Sequence, residues 1–258
     1  MTIRLEVAPD GLRTRLDEAD WSALVSAADV EVSGALAPLE APADDTDADE
    51  GTVAAAALAV GPAPVTIELV TGAGDRGLAA RIGCDAVAAG VAVRVLLPVS
   101  DGTGPAVVPG VEIGANQTAH VVAEIMRLFP AGGLARHADH VPVTMPHELS
   151  LTLHQALRSG DDALARLVAE QAGLDSPPEV LVALANGTSA SATATVRVAG
   201  SPTTVVQQWL LCDVGWVLLT VHGTHVTHTV QSRDEVADGF VHLLAGALAA
   251  FGKVSGRG

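Results

Sequence analysis

The chain carries one pattern twice. From Val65 it reads VTIELV, passes Cys84-Asp85 and reaches an apolar stretch closed by Phe129-Pro130. From Ala194 it reads ATVRV, passes Cys212-Asp213 and reaches an apolar stretch ending at Phe251. The two cysteines of the chain sit at matching places, each followed by aspartate. A long repeat constrains the fold strongly, because each copy must be a supersecondary unit that buries its own apolar face.

In the first copy, residues 65–70, 78–87, 91–97 and 107–113 are apolar runs and alternations, with turns at 71–77 and at Gly90, and predict strands. Residues 118–129 put Val121, Val122, Ile125, Leu128 and Phe129 on one helical stripe. Asn116 or Thr118 can cap that helix and Pro130 stops it. In the second copy the strands fall at 194–198, 205–212, 216–221 and 225–230. A helix over 233–251 follows, opened by the capping box Ser232-Arg233-Asp234-Glu235. Hairpin-linked strands followed by a helix, twice, predict an α+β fold. Its architecture is quasi-twofold, with duplicated units of antiparallel sheet backed by helices on one face.

Four segments result, within one intimate domain. Residues 1–64 hold a strand at 2–7, helical pieces at 12–16 and 21–28, and an acidic loop. Residues 65–135 are the first sheet–helix unit, 136–190 a helical segment, and 191–258 the second unit. In the helical segment Leu149, Leu153 and Leu157 recur every fourth residue. Leu164, Leu167 and Val168 form the inward stripe of the next helix, and Pro177-Pro178 open a third.

Composition narrows the function. The chain is 49% hydrophobic but 2% aromatic, with no Tyr, so its core must come from small aliphatic side chains. The net charge of −16, with Lys253 the single lysine, disfavours nucleic acid and anionic membrane surfaces. It suits a soluble cytoplasmic protein. Residues 37–51, with Asp44, Asp45, Asp47, Asp49 and Glu50, predict a disordered acidic loop. The spacing there lacks the glycine and final glutamate of an EF-hand loop, so calcium is not implied. No signal peptide and no apolar run of about 18 residues is visible, so no membrane-spanning helix is expected. Two cysteines in separate units predict reduced thiols rather than a disulfide.

Several stretches imitate chemistry. Gly72-Ala73-Gly74-Asp75-Arg76-Gly77 is a GxGxxG after a strand, and Gly72, Gly74 and Gly77 would be the dinucleotide-binding positions of an NAD(P)-dependent oxidoreductase. VTGAG also resembles the opening of short-chain dehydrogenases, but the glycine spacing differs and no Tyr–Lys pair can exist here. The stretch after Gly77 contains Gly83 and Gly90 and makes a poor helix, and the matching turn 199–202 has no phosphate loop. A hairpin turn is the simpler reading. His222, His225 and His228, His137 and His140 with Asp139, and His147 and His154 include no HExxH and no convergent ligand set. They are read as surface histidines, and no metal or cofactor is implied. Ser189 lacks the second glycine of a nucleophile elbow. Cys84 and Cys212 lie in apolar strands, where thiols are inert, and Asp85 and Asp213 are turn formers. No catalytic residue is assigned.

The stretches 65–97, Leu128-Phe129-Pro130, and 205–230 with the last helix resemble the EspG family of actinobacterial type VII (ESX) secretion-associated proteins. They cover about two thirds of the chain. The family usually has a longer helical segment before its first sheet. The resemblance implies a quasi-twofold α+β fold and a cytoplasmic chaperone or adaptor that binds PE–PPE-like helical secreted substrates without catalysis. Partner contacts by analogy are the turn with Asp75 and Arg76 and the helical segment with Leu153 and Leu157. A self-associating structural protein, a homodimer, is the third reading.

Overall fold

The computed structural model describes residues 2–3, 6–8, 11–42, 47–98, 104–132 and 141–256. Asp44, Asp45, His137, Asp139 and His140 lie outside them. The described chain forms two compact units. One contains residues 1–129, 194–206 and 240–258, the other 130–193 and 207–239.

The order begins β1 (Thr2–Ile3), β2 (Glu6–Ala8), β3 (Gly11–Leu16), α1 (Glu18–Ala27), a 3-10 turn (Gly34–Leu36), β4 (Asp47–Ala48) and α2 (Glu50–Val60). It continues β5 (Val65–Ala73), β6 (Arg76–Cys84), β7 (Ala88–Leu97), β8 (Ala106–Val107), β9 (Val111–Gln117) and α3 (Val121–Leu128). The later elements are β10 (Val143–Pro146), α4 (His147–Ser159), α5 (Asp162–Gln171), α6 (Glu179–Asn186), β11 (Ala190–Val198), β12 (Thr204–Cys212), β13 (Gly215–His222), β14 (His225–Gln231) and α7 (Arg233–Ser255).

The fold is α+β, with antiparallel sheet as its framework. In the first unit β5 pairs with β6 from Val65↔Cys84 to Ala73↔Arg76, β6 with β7 through Gly83↔Gly90, and β7 with β9 through Val91↔Gly114. This register puts Gly83 and Gly90 on one face, under α2. A Cβ at Gly83 would lie 1.7 Å from the Leu58 carbonyl oxygen, and one at Gly90 2.2 Å from that of Ala55. The alanines of α2 and these glycines bring backbone against backbone, which answers how a chain poor in aromatics packs. Thr71 and Glu112 belong to the opposite face. Thr71 Oγ1 donates to the Leu128 carbonyl of α3 (3.2 Å), and Glu112 pairs with Arg127 of α3. Helices therefore cover both faces of this sheet rather than one.

Several local expectations change. Residues 12–16 predict helix, but form β3, because Leu12↔Ala115 through Leu16↔Val111 pair it antiparallel with β9. Gly90 is inside β7, and the turn before it is made by Asp85, whose Oδ1 accepts from Val87 N (2.7 Å) and Ala88 N (2.8 Å). The acidic stretch ends in order: Asp49 Oδ1 caps α2 by accepting from Gly51 N and Thr52 N, so Glu50 opens a helix.

In the second unit α4, α5 and α6 pack on β10, β14, β13 and β12 through a core that includes Met145, Leu153, Ala156, Ala165, Val168, Leu181, Val217 and Val230. Strand β10, unseen in sequence, pairs antiparallel with β14. The duplication thus reaches further than the sequence repeat. The strand orders β5-β6-β7-β9-β3 and β11-β12-β13-β14-β10 are the same. In each, a strand that precedes the helices returns to pair with the fourth strand of the meander.

Helix α7 begins with the expected capping box: Ser232 N donates to Glu235 Oε2 (2.7 Å) and Glu235 N to Ser232 Oγ (3.2 Å). Among the described residues it is the one helix long and apolar enough to cross a membrane. That corrects the expectation of none. Its stripe of Val236, Phe240, Leu244 and Ala247 is buried, while 17% of its apolar window is buried in all.

Candidate partner-binding site

The GxGxxG stretch is the tip of the β5–β6 hairpin. Ala73 and Arg76 are its last paired residues, leaving a two-residue turn of Gly74-Asp75. Gly74 has φ +59°, a left-handed position that glycine fills readily. The chain after Gly77 continues as strand β6, so no helix N-terminus stands behind the turn to receive a pyrophosphate. Gly72, Gly74 and Gly77 therefore shape a projecting hairpin. Ala73 through Arg76 are exposed, and Val70 on the same hairpin is 51% exposed.

In the second unit the helical segment divides differently from its sequence pattern. Leu153 is fully buried, so its side chain supplies core and cannot be a surface contact; this corrects its assignment. Leu149 and Leu157 are half-buried against the same core. On α5 the buried stripe is Ala165, Val168 and Ala169, while Leu164 and Leu167 expected inward are exposed. With Leu151 on α4 these leucines are the large apolar residues that α4 and α5 offer to solvent.

The thiols are buried, free and unreactive by environment. Burial, and then the adjacent Asp85 charge, push the Cys84 thiol up to about 11. Cys212 is likewise raised, chiefly by burial. Asp85 is held below the usual carboxylate range by the Ala88 and Val87 amides, in keeping with a turn-forming role. Among the described residues no group of three or more His, Cys, Asp or Glu converges as metal ligands. His228, expected at the surface, is buried at the α4–β14 contact. Ser189 is fastened to β12, its N–H and Oγ both donating to the Leu211 carbonyl.

No protein-family model and no curated protein matches the chain by sequence. The fold does match a solved structure, that of the Mycobacterium tuberculosis type VII secretion system chaperone EspG5 in complex with the PE25–PPE41 dimer. The TM-score is 0.60 at 11% identity, covering 88% of this chain and 94% of the other. At that identity the likeness is one of fold.

Proposed function

We propose that this protein is a chaperone or adaptor of type VII (ESX) secretion that holds a PE–PPE-like helical pair in the cytoplasm and performs no catalysis. The carrying observation is the fold likeness to the EspG5 chaperone, which extends over 88% of this chain.

The contacts proposed are the hairpin tip, with Asp75 and Arg76, and the α4–α5 pair, with Leu157 and the exposed Leu151, Leu164 and Leu167. Exposed apolar side chains supply the area that burial converts to affinity, and the charged tip gives orientation and specificity. Helical secreted partners bring apolar faces to such a surface, and covering those faces before export is what a chaperone would do.

Co-expression with a PE–PPE-like pair, followed by affinity capture on this chain, tests the reading. Recovery of both helical proteins with it, and of neither with an unrelated tagged protein, is expected. Capture of this chain alone, in the presence of soluble PE–PPE-like pair, would overturn it.

A further inference from the structure

A buried histidine holds a helix to the second sheet. His228 of β14 is 4% exposed, and its Nε2 lies 3.3 Å from Oγ of Ser150 on α4, itself buried. Its Nδ1 forms no hydrogen bond of normal geometry. Val143 of β10 and Leu219 of β13 flank it in the two ladders, so neither neighbouring strand presents a charge there. The titratable groups that act on it are His147 and His154, both on α4. Arg158 adds positive charge beside His154. Glu148, the one carboxylate of α4, is exposed in the first turn.

We propose that the Ser150–His228 contact is an acid-sensitive latch: with the imidazole neutral it seats α4 on the second sheet, and protonation of the ring unseats it. The chemistry is direct. The neutral ring has one N–H donor and one acceptor nitrogen, and its Nε2 is partnered by the Ser150 hydroxyl. The charged ring puts a net charge inside a core of Met145, Leu153, Val217 and Val230, a cost that the Val143 backbone offsets only in part. His147 and His154 lie on the helix being held, so positive charge there would oppose charge on the ring.

Burial, above all, holds the His228 imidazole below the usual histidine range, and the Val143 backbone only partly offsets this. The unfolded chain then binds the proton first. Stability from the neutral ring is complete above about pH 6.5 and is lost as pH falls from there toward the folded value. Any bearing on partner release rests on the chaperone reading, because α4 carries part of the proposed contact.

Hydrogen exchange on the full chain, read as protection factors corrected for intrinsic rates, measures the latch without a partner. Protection of 147–159 should fall severalfold between pH 7.5 and 5.0, the direction that a lowered folded-state value requires. Protection of 121–128 should stay level. His228→Gln should remove the difference, and His154→Gln should leave most of it. A flat response in α4, or a full response persisting in His228→Gln, would overturn the latch while leaving the chaperone reading in place. Should His228→Gln not fold, imidazole NMR of the unaltered chain decides. A His228 midpoint below that of exposed histidines supports the latch, and one at or above it refutes it.

Discussion

Removing the Arg94 guanidinium should unfold much of the first unit's margin. Arg94 sits on β7 with its side chain 0% exposed, paired with Glu18 of α1, 2% exposed. Its Nη2 donates to both Glu18 oxygens (2.6 and 2.9 Å), and its Nη1 to the carbonyls of Ala35 (3.0 Å) and Ala37 (2.7 Å). Glu18 also accepts from Leu39 N (3.0 Å) and Gly110 N (2.6 Å). One pair thereby joins a strand, a helix, the segment around the 3-10 turn and the loop before β9. Arg94→Met leaves a buried carboxylate without its counter-charge and two carbonyls without donors, and Glu18→Gln leaves a buried guanidinium. Each should cost about 3–5 kcal/mol, the usual result of breaking one side of a buried pair. Stabilities of about 5–15 kcal/mol make that a large share. The assay is urea unfolding at 25 °C and pH 7.5, followed by circular dichroism. The Glu18→Leu/Arg94→Met double variant completes a cycle with the two matching single variants. A coupling of about 2 kcal/mol or more is expected, with a residual cost from the orphaned backbone groups. Single variants costing under about 1 kcal/mol, or strict additivity, would refute the reasoning.

Other outcomes follow from packing and chemistry. Gly83→Ala should destabilise by about 3 kcal/mol, because its Cβ would meet the Leu58 carbonyl, while Gly246→Ala on α7, with open space around it, should stabilise by about 0.5–1 kcal/mol; denaturant midpoints read both. Cys84, with its thiol near 11, should have about one thiolate in a thousand at pH 8 and resist a thiol reagent until denaturant is added, which an absorbance assay follows. Ser232→Ala, which breaks the capping box of α7, should cost about 1 kcal/mol and lower the melting temperature by about 2–4 °C in calorimetry.

The meanders were legible because period-two alternation and turn residues are local signals, and the repeat multiplied them. Strands β3 and β10 were not. Residues 12–16 and 143–146 are too short to show a period, and each is a strand only because β9 or β14 lies beside it. Gly90 looked like a turn because a glycine within a strand and a glycine in a turn read alike; the helix passing over it decides. Burial on the helices misled in a similar way. Leu164 and Leu167 share an apolar stripe with Val168, yet the face that packs is the one with Ala165 and Ala169, which small side chains let approach closely. His228 could have been suspected from its strand, where Val226, His228 and Val230 alternate with Thr227 and Thr229. The candidate surface rests on exposed side chains, which periodicity alone does not separate from core.

The central claim is binding of a helical PE–PPE-like pair through the hairpin tip and the α4–α5 leucines. Isothermal titration of the purified chain with such a pair tests it most directly. The account predicts saturable binding at about micromolar affinity or tighter, or roughly 8 kcal/mol, weakened tenfold or more by Arg76→Glu combined with Leu167→Asp in a folded variant. An absence of binding heat across two temperatures, or affinity untouched by both substitutions, would contradict it.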